Sequence, residues 1–400
     1  MSNYIKKSTC RVCNSHELQE VLNLKKQPLA NSYHHGEELL EFPLSLNLCT
    51  ECFHLQLGVV VNPDLMFKDY LYVSGTSKTL HEYFEGFVDI CSTFVCAENS
   101  VLDIACNDGT QLDKFKERGW KTYGVDPAEN LHPLSSRNHN VLCDYWTTET
   151  AAHLGGTYDL LIAQNVFAHV DDVHEFLAAC SLVMSDESRL LIQTSQADMI
   201  VNNEFDTIYH EHLSFFSAQS MKRCANLNNF SLIDVFTTDI HGGSYVFVLA
   251  KGSHDESLAQ RRITAEESRG LYKTSTYELY RDKCHKVASD LVTCLDSFRT
   301  SGHKVVGYGA AAKGNTFLNF SSLDLDYIVD DNELKWDLYT PGRNISICSP
   351  DALAAEDPSK LVIVPLAWNF FKEIQAKVLS RMEGGSSPTF VKYFPEIDLS

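Results

Sequence analysis

The sequence predicts an α/β protein in three parts: a small cysteine-bearing N-terminal domain, a central Rossmann-like sheet, and a second, C-terminal Rossmann-like α/β domain. Three observations carry this. Strand and helix patterns alternate from about residue 69 to 251, two Cys-x-x-Cys pairs precede them, and a small-residue strand-to-helix turn appears at 307–316. Such alternation builds a mostly parallel sheet covered on both faces. A chain of 400 residues exceeds one ordinary core, so several domains are expected, with boundaries at 1–68, 69–251 and 252–400.

The composition is that of a globular protein, 44% hydrophobic and 22% charged. A net charge of -20 argues against a nucleic-acid partner while leaving room for a local basic pocket and a small anionic substrate. No apolar run reaches membrane-spanning length and the N-terminus has no signal-peptide core, so no membrane association is expected. Thirteen cysteines then point to a reducing cytoplasm, where cysteines bind metal or fill cores. A monomer is expected.

The N-terminal domain carries Cys10-Arg11-Val12-Cys13 and Cys49-Thr50-Glu51-Cys52. Two such knuckles supply the four thiolates of a closed, structural zinc site, and a short segment without a large core gains folding energy from the metal. Residues 14–48 between the knuckles exceed a compact finger and read as an insertion. His16, His34, His35 and His54 are nearby competitors, expected as bystanders. Residues 69–77 (Asp-Tyr-Leu-Tyr-Val-Ser-Gly-Thr-Ser) form an aromatic, turn-rich stretch ahead of a helix at 80–94. It reads as a linker, or as a flap in which Tyr72 covers a ligand.

In the central domain, strands are expected at 100–104, 121–125, 139–142, 158–164, 187–194, 231–237 and 244–250. The first leads through Asp103-Ile104-Ala105-Cys106-Asn107-Asp108-Gly109 into a helix at 110–118. Strand, tight turn and helix form the entry unit of a nucleotide-binding sheet. The turn lacks the three glycines that admit a dinucleotide pyrophosphate. Its terminal acid and backbone N–H groups suit a ligand with an amino-acid tail and a ribose, which indicates S-adenosylmethionine. Asp126, ending the second strand about 20 residues past the turn, is placed to accept a ribose diol. Asp144 is a candidate for the adenine amino group, or alternatively a helix N-cap. Asn165 and His169 follow the fourth strand at the carboxyl edge, where open α/β sheets bind ligands.

Chemistry concentrates in Phe205-Asp206-Thr207-Ile208-Tyr209-His210-Glu211-His212-Leu213-Ser214-Phe215-Phe216. Histidine titrates near neutrality and serves as a general base; a neighbouring carboxylate orients it. The spacing is not that of a zinc-protease helix. After a polar helix or helix pair over 253–301, Gly307-Tyr308-Gly309-Ala310-Ala311-Ala312-Lys313-Gly314-Asn315-Thr316 forms a second strand-to-helix turn. Such a turn exposes N–H groups to an anion, and Lys313 adds positive charge.

The order of these pieces resembles the sugar C-methyltransferase family, over nearly the whole chain. The specific matches are Tyr209-His210-Glu211-His212 and Gly307–Thr316; Cys10, Cys13, Cys49 and Cys52, the turn 103–109, residues 165–170 and Val329-Asp330-Asp331-Asn332 accompany them. The resemblance implies an S-adenosylmethionine-dependent enzyme acting on a nucleotide-linked 4-keto-6-deoxy sugar, with structural zinc. It implies His212 as the base that removes the C3 proton, Tyr209 and Glu211 as orienters or charge stabilisers, and His169 and Tyr72 as pocket residues. Asp103, Ala105, Asn107, Asp108, Gly109, Asp126, Asp144 and Asn165 would hold the cofactor. Lys313, Gly309, Asn315 and Tyr308 would hold the nucleotide diphosphate. The family's first turn glycine is Ala105 here, which costs energy wherever φ is positive. Methylation of oxygen or nitrogen on another small molecule, and a silent binding protein, are the alternatives.

Overall fold

The computed structural model describes residues 3–67, 73–76, 78–95, 99–194, 198–382 and 387–400. It divides into two compact units. The first comprises 1–19, 47–197 and 211–272; the second comprises 20–46, 198–210 and 273–400.

The first unit is built on seven strands: β1 (Ser100–Ile104), β2 (Lys121–Val125), β3 (Asn140–Leu142), β4 (Leu160–Gln164), β5 (Arg189–Thr194), β6 (Phe230–Thr238) and β7 (Ser244–Lys251). Their spatial order is β6-β7-β5-β4-β1-β2-β3. The first five run parallel, while β7 lies antiparallel to β5 and to β6. The expected mostly parallel sheet is therefore mixed at one edge. Burial on both faces follows from the sequence, because neighbouring apolar residues point opposite ways. Val101, Leu160, Ile162 and Leu191 pack with Phe87, Leu112 and Phe115 on one face. Leu102, Ile104, Leu161 and Ile192 pack with Phe176 and Leu177 on the other. Strand order reverses between β1 and β4, and the loops leaving both strands open at that switch point.

Antiparallel pairing in this unit joins Tyr4–Lys6 to Val59–Val61 and Leu55–Leu57 to Ser214–Phe215. The insertion between the knuckles consists largely of two long strands, Leu18–Pro28 and Glu41–Cys49. The division between units falls within both strands. Phe42, Leu44, Leu46 and Leu48 are buried alternately along the second, the period-2 pattern of a half-buried strand.

The second unit holds β8 (Lys304–Tyr308), β9 (Tyr327–Val329), β10 (Ile347–Cys348), β11 (Leu361–Pro365), β12 (Thr389–Lys392) and β13 (Asp398–Leu399), in the order β10-β9-β8-β11-β12-β13. All but β13 pair in parallel. The helix or helix pair expected over 253–301 is a pair, Ser257–Ser268 in the first unit and Thr274–Thr300 in the second. Among the described residues, no helix is long and apolar enough to cross a membrane.

Candidate active site

The turn after β1 is wound left-handed at three places: Ala105 (φ 64°), Asn107 (φ 52°) and Gly109 (φ 86°). Asparagine and glycine tolerate this region and alanine does not. The N–H groups of Ala105 and Cys106 donate to the Val125 carbonyl, at 2.7 and 3.3 Å, so sheet pairing holds the strained residue in place. Gly109 precedes the helix Thr110–Glu117. A Cβ there would meet the Ser135 backbone and the His139 ring at 3.1 Å.

Asp126 closes the turn from the neighbouring strand. Its Oδ2 accepts the Asn107 N–H at 2.8 Å, and its Oδ1 accepts the Ala128 N–H at 2.8 Å. A carboxylate has about four acceptor positions, so two remain for the donors of a ligand. Burial pushes Asp126 up against the pull of these amides. Burial, then the charges of Asp126 and Asp108, push Asp103 well above the usual carboxylate range. Three acids gather at this turn and the neighbouring strand end, with Asp103 held toward its neutral form by burial and by the other two. The Asn107 and Asp108 side chains also accept the N–H groups of Ser74 and Gly75, at 3.0 and 2.9 Å. Tyr72 lies outside the described residues.

Further along the carboxyl edge, Asn165 (φ 56°) donates its N–H to the Gln193 carbonyl at 2.9 Å. Its Oδ1, the Thr194 Oγ1 and the His169 Nε2 are buried without a hydrogen-bond partner. These three atoms gather at the carboxyl ends of the strands, the edge at which open α/β sheets bind ligands. The His169 and His212 rings lie 5.1 Å apart, and Phe67 stacks on His169. Burial lowers His169 to about 4, so it is neutral at neutral pH. Glu211 and His212 are buried. The preceding His210, in the second unit, bonds the Pro43 carbonyl through Nε2 at 3.3 Å and packs against Phe42. It is a structural member of the motif, and Tyr209 beside it is half-buried.

Asp144 is exposed and its carboxylate accepts the Tyr145 N–H at 2.7 Å. The following helix, Thr148–Leu154, is capped by Thr147 instead. The N-cap alternative for Asp144 is thereby corrected: Thr147 stands one residue before the helix and reaches the Thr150 N–H. Three polar residues that the sequence did not single out, Tyr83, Gln164 and Gln193, meet at the ends of β4 and β5. The Tyr83 hydroxyl and the Gln164 amide both donate to Gln193 Oε1. The ends of β4 and β5 were the available signal, since ligand-facing groups gather there.

The four knuckle sulfurs lie within 4.8 Å of one another, and the pairs Cys10–Cys52 and Cys13–Cys49 are 3.6 Å apart. Four thiolates around zinc at about 2.3 Å require tetrahedral edges of about 3.8 Å, so the donor set fits. The Cys10–Cys52 contact lowers Cys10 and raises Cys52, and burial raises Cys13.

In the second unit, the turn after β8 repeats the device of the first. Asp330 Oδ2 accepts the Ala310 N–H at 2.6 Å, and its Oδ1 accepts the Asn332 N–H at 2.8 Å. Gly309 has φ 90°, and the helix Ala312–Ser321 has no side-chain cap. Residues 30–33 lie against this turn. Tyr33 donates its hydroxyl to the Ala310 carbonyl, and Asn315 Nδ2 donates to the Ala30 carbonyl at 2.8 Å. Asn315 Oδ1 is buried without a partner. The Tyr308 hydroxyl is committed to Asp331 at 2.9 Å and its ring lies in the core. Lys313 sits 5.2 Å over the Trp368 ring. Burial raises Glu204 to about 7 and also raises Asp206, against the pull of Lys313 on both.

Three family models match consecutive parts of the chain: a zinc binding domain at 10–67, a methyltransferase domain at 79–235 and a C-methyltransferase C-terminal domain at 239–395. The C-methyltransferase NovU of Streptomyces niveus is 29% identical over 97% of this chain and 95% of its own length. A ubiquinone biosynthesis O-methyltransferase of Bartonella quintana is 25% identical over 34% of this chain, which spans 61% of that enzyme. The magnesium protoporphyrin IX methyltransferase ChlM of Synechocystis PCC 6803, solved with bound SAM, aligns with a TM-score of 0.33 at 13% identity, covering 44% of this chain and 79% of its own. The three models run nearly end to end along the chain and NovU is similar over its full length, so the chain is an S-adenosylmethionine-dependent methyltransferase whose domain order is similar to that of C-methyltransferases.

Proposed function

We propose that the enzyme methylates C3 of a nucleotide-linked 4-keto-6-deoxy sugar, with His212 as the base. The supporting observation is the buried pair His169 and His212 at the carboxyl edge, in the same unit as the cofactor turn. A ketone at C4 acidifies the C3 proton. His212 accepts that proton, and the electron pair is delocalised into the enolate oxygen. Tyr209 and Glu211 orient the base and stabilise developing charge. Asp103, Asn107, Asp108, Gly109 and Asp126 would hold the cofactor, which would supply an electrophilic methyl to C3 as its S–CH3 bond breaks, leaving the neutral thioether S-adenosylhomocysteine. Neutral His169, with its unpartnered Nε2, bonds a polar group of the substrate. The uncapped helix at Ala312 favours an anion at the second turn, the role proposed for the nucleotide diphosphate. Lys313, with Gly309 and Tyr308, belongs to that turn. The expected setting is deoxysugar biosynthesis in the cytoplasm.

The test is a panel of thymidine- and guanosine-diphosphate 4-keto-6-deoxy sugars, assayed for the mass gain of one methyl. His212→Ala should lower the rate by about a hundredfold or more with S-adenosylhomocysteine binding retained. In heavy water without cofactor, wild type should exchange the C3 proton and the variant should not. Full-rate transfer by His212→Ala removes the base assignment.

A further inference from the structure

Arg11 stands inside the first cysteine knuckle, yet its side chain is 0% exposed and is directed away from a purely local role. Its Nη1 donates to the Leu57 carbonyl at 2.8 Å, and its Nε donates to Asp171 Oδ1 at 3.0 Å. Its own N–H donates to Gln56 Oε1 at 2.8 Å. Each contact leads to a histidine. Leu57 donates its N–H to the carbonyl of Leu213, next to His212, at 2.9 Å. Leu55 and Gln56 pair with Phe215 and Ser214, and His54 Nε2 shares a hydrogen bond with Ser214 Oγ at 3.2 Å. Asp171 follows His169 by two residues, and Lys7 donates to its other oxygen at 3.0 Å.

A buried guanidinium is costly unless it is paired. Here Asp171 supplies one pairing. The Leu57 carbonyl takes Nη1, Cys10 adds a weaker attraction, and Nη2 is buried without a hydrogen-bond partner. A buried cation inside the knuckle thus ties the metal site to both histidine segments.

We propose that Arg11 is a positioning residue, transmitting the geometry of the zinc knuckle to the spacing of His169 and His212. The catalytic consequence rests on the reading of His212 as the base. Arg11→Met, Arg11→Lys and Asp171→Asn are made in the full-length, zinc-loaded chain. All three should keep one zinc per chain and bind S-adenosylhomocysteine within about twofold of wild type, because the cofactor turn is not among the contacts of Arg11. Amide hydrogen exchange should quicken in peptides covering 165–172 and 211–216 and stay unchanged over 101–112. On the 4-keto sugar that the panel selects, kcat should fall about a hundredfold in Arg11→Met, the scale of a small misplacement of reacting groups, with KM nearly constant. Arg11→Lys, able to reach one partner, should recover part of the rate.

Unchanged exchange in the two segments overturns the proposal, as does loosened exchange with unchanged kcat, or loss of zinc from Arg11→Met. If Arg11→Met fails to fold, Asp171→Asn decides, since Asp171 is 29% exposed and tolerates the change. Should His212→Ala remain active, the base assignment fails, while the exchange result still reports on Arg11 separately.

Discussion

Replacing Ala105 by glycine should stabilise this protein, although alanine-to-glycine changes ordinarily do the opposite. Ala105 has φ 64°, and a left-handed conformation costs an L-residue about 1–2 kcal/mol. The bonds of Ala105 and Cys106 to Val125 prevent the turn from relaxing. Glycine removes that strain but gains about 0.4–1 kcal/mol of unfolded-state freedom. The net expectation is a gain of about 0.5–1 kcal/mol, which raises the thermal midpoint by about 1–4 °C in a unit of this size. Ala152, exposed within the helix Thr148–Leu154, is the control: Ala152→Gly should cost about 1 kcal/mol. Scanning calorimetry of the apo protein reads the strain. Titration with S-adenosylhomocysteine reads a separate effect, because Ala105 is partly exposed and its methyl crowds a ligand only if it faces one. A midpoint that falls in Ala105→Gly as it does in Ala152→Gly would refute the reasoning.

Asp126→Asn removes the charge proposed to hold the ribose diol; with about 1.5–3 kcal/mol at stake, S-adenosylhomocysteine affinity should fall about tenfold or more, and an unchanged Kd eliminates that role. Cobalt in place of zinc should give the intense visible absorption of a tetrahedral thiolate site, lost in Cys52→Ser; weak octahedral bands would contradict four-cysteine ligation. His169 has a folded pKa of about 4 against an ordinary 6.5, so between these values the unfolded chain binds the extra proton and stability falls as pH falls. Wild type should lose about 1.4 kcal/mol more per pH unit than His169→Gln over that window. Parallel stability profiles for the two proteins would show that His169 titrates normally.

What was legible in this sequence follows from which forces act locally. The strand at 160–164 announces itself because a sheet covered on both faces needs unbroken apolar runs, whereas those at 100–104 and 121–125, which carry Asp103 and Lys121-Thr122, are legible from the alternation of strand and helix around them. The knuckles are legible because metal geometry constrains spacing. Left-handed turns are legible at Asn107 and Gly109 from residue type, and at Ala105 only by comparison with a family in which glycine stands there. The site as a whole was less legible. Gln193, Gln164 and Tyr83 are ordinary polar residues whose meeting depends on the pairing of β4 with β5 and on the packing of a helix across them. Tyr33 and Ala310 meet across 277 positions, a separation that no local pattern encodes. The insertion between the knuckles did carry its signal, in the alternation of Phe42, Leu44, Leu46 and Leu48, and its two long strands pair with each other and with Leu55–Leu57 nearby in the chain. Arg11 is the sharpest case. As the second residue of Cys-x-x-Cys it is chemically arbitrary, and its spacing predicts nothing. Only packing shows that its guanidinium reaches Leu57 and Asp171. A motif therefore locates the groups that bind or react, whereas the groups that set distances between them occupy the positions a motif leaves open.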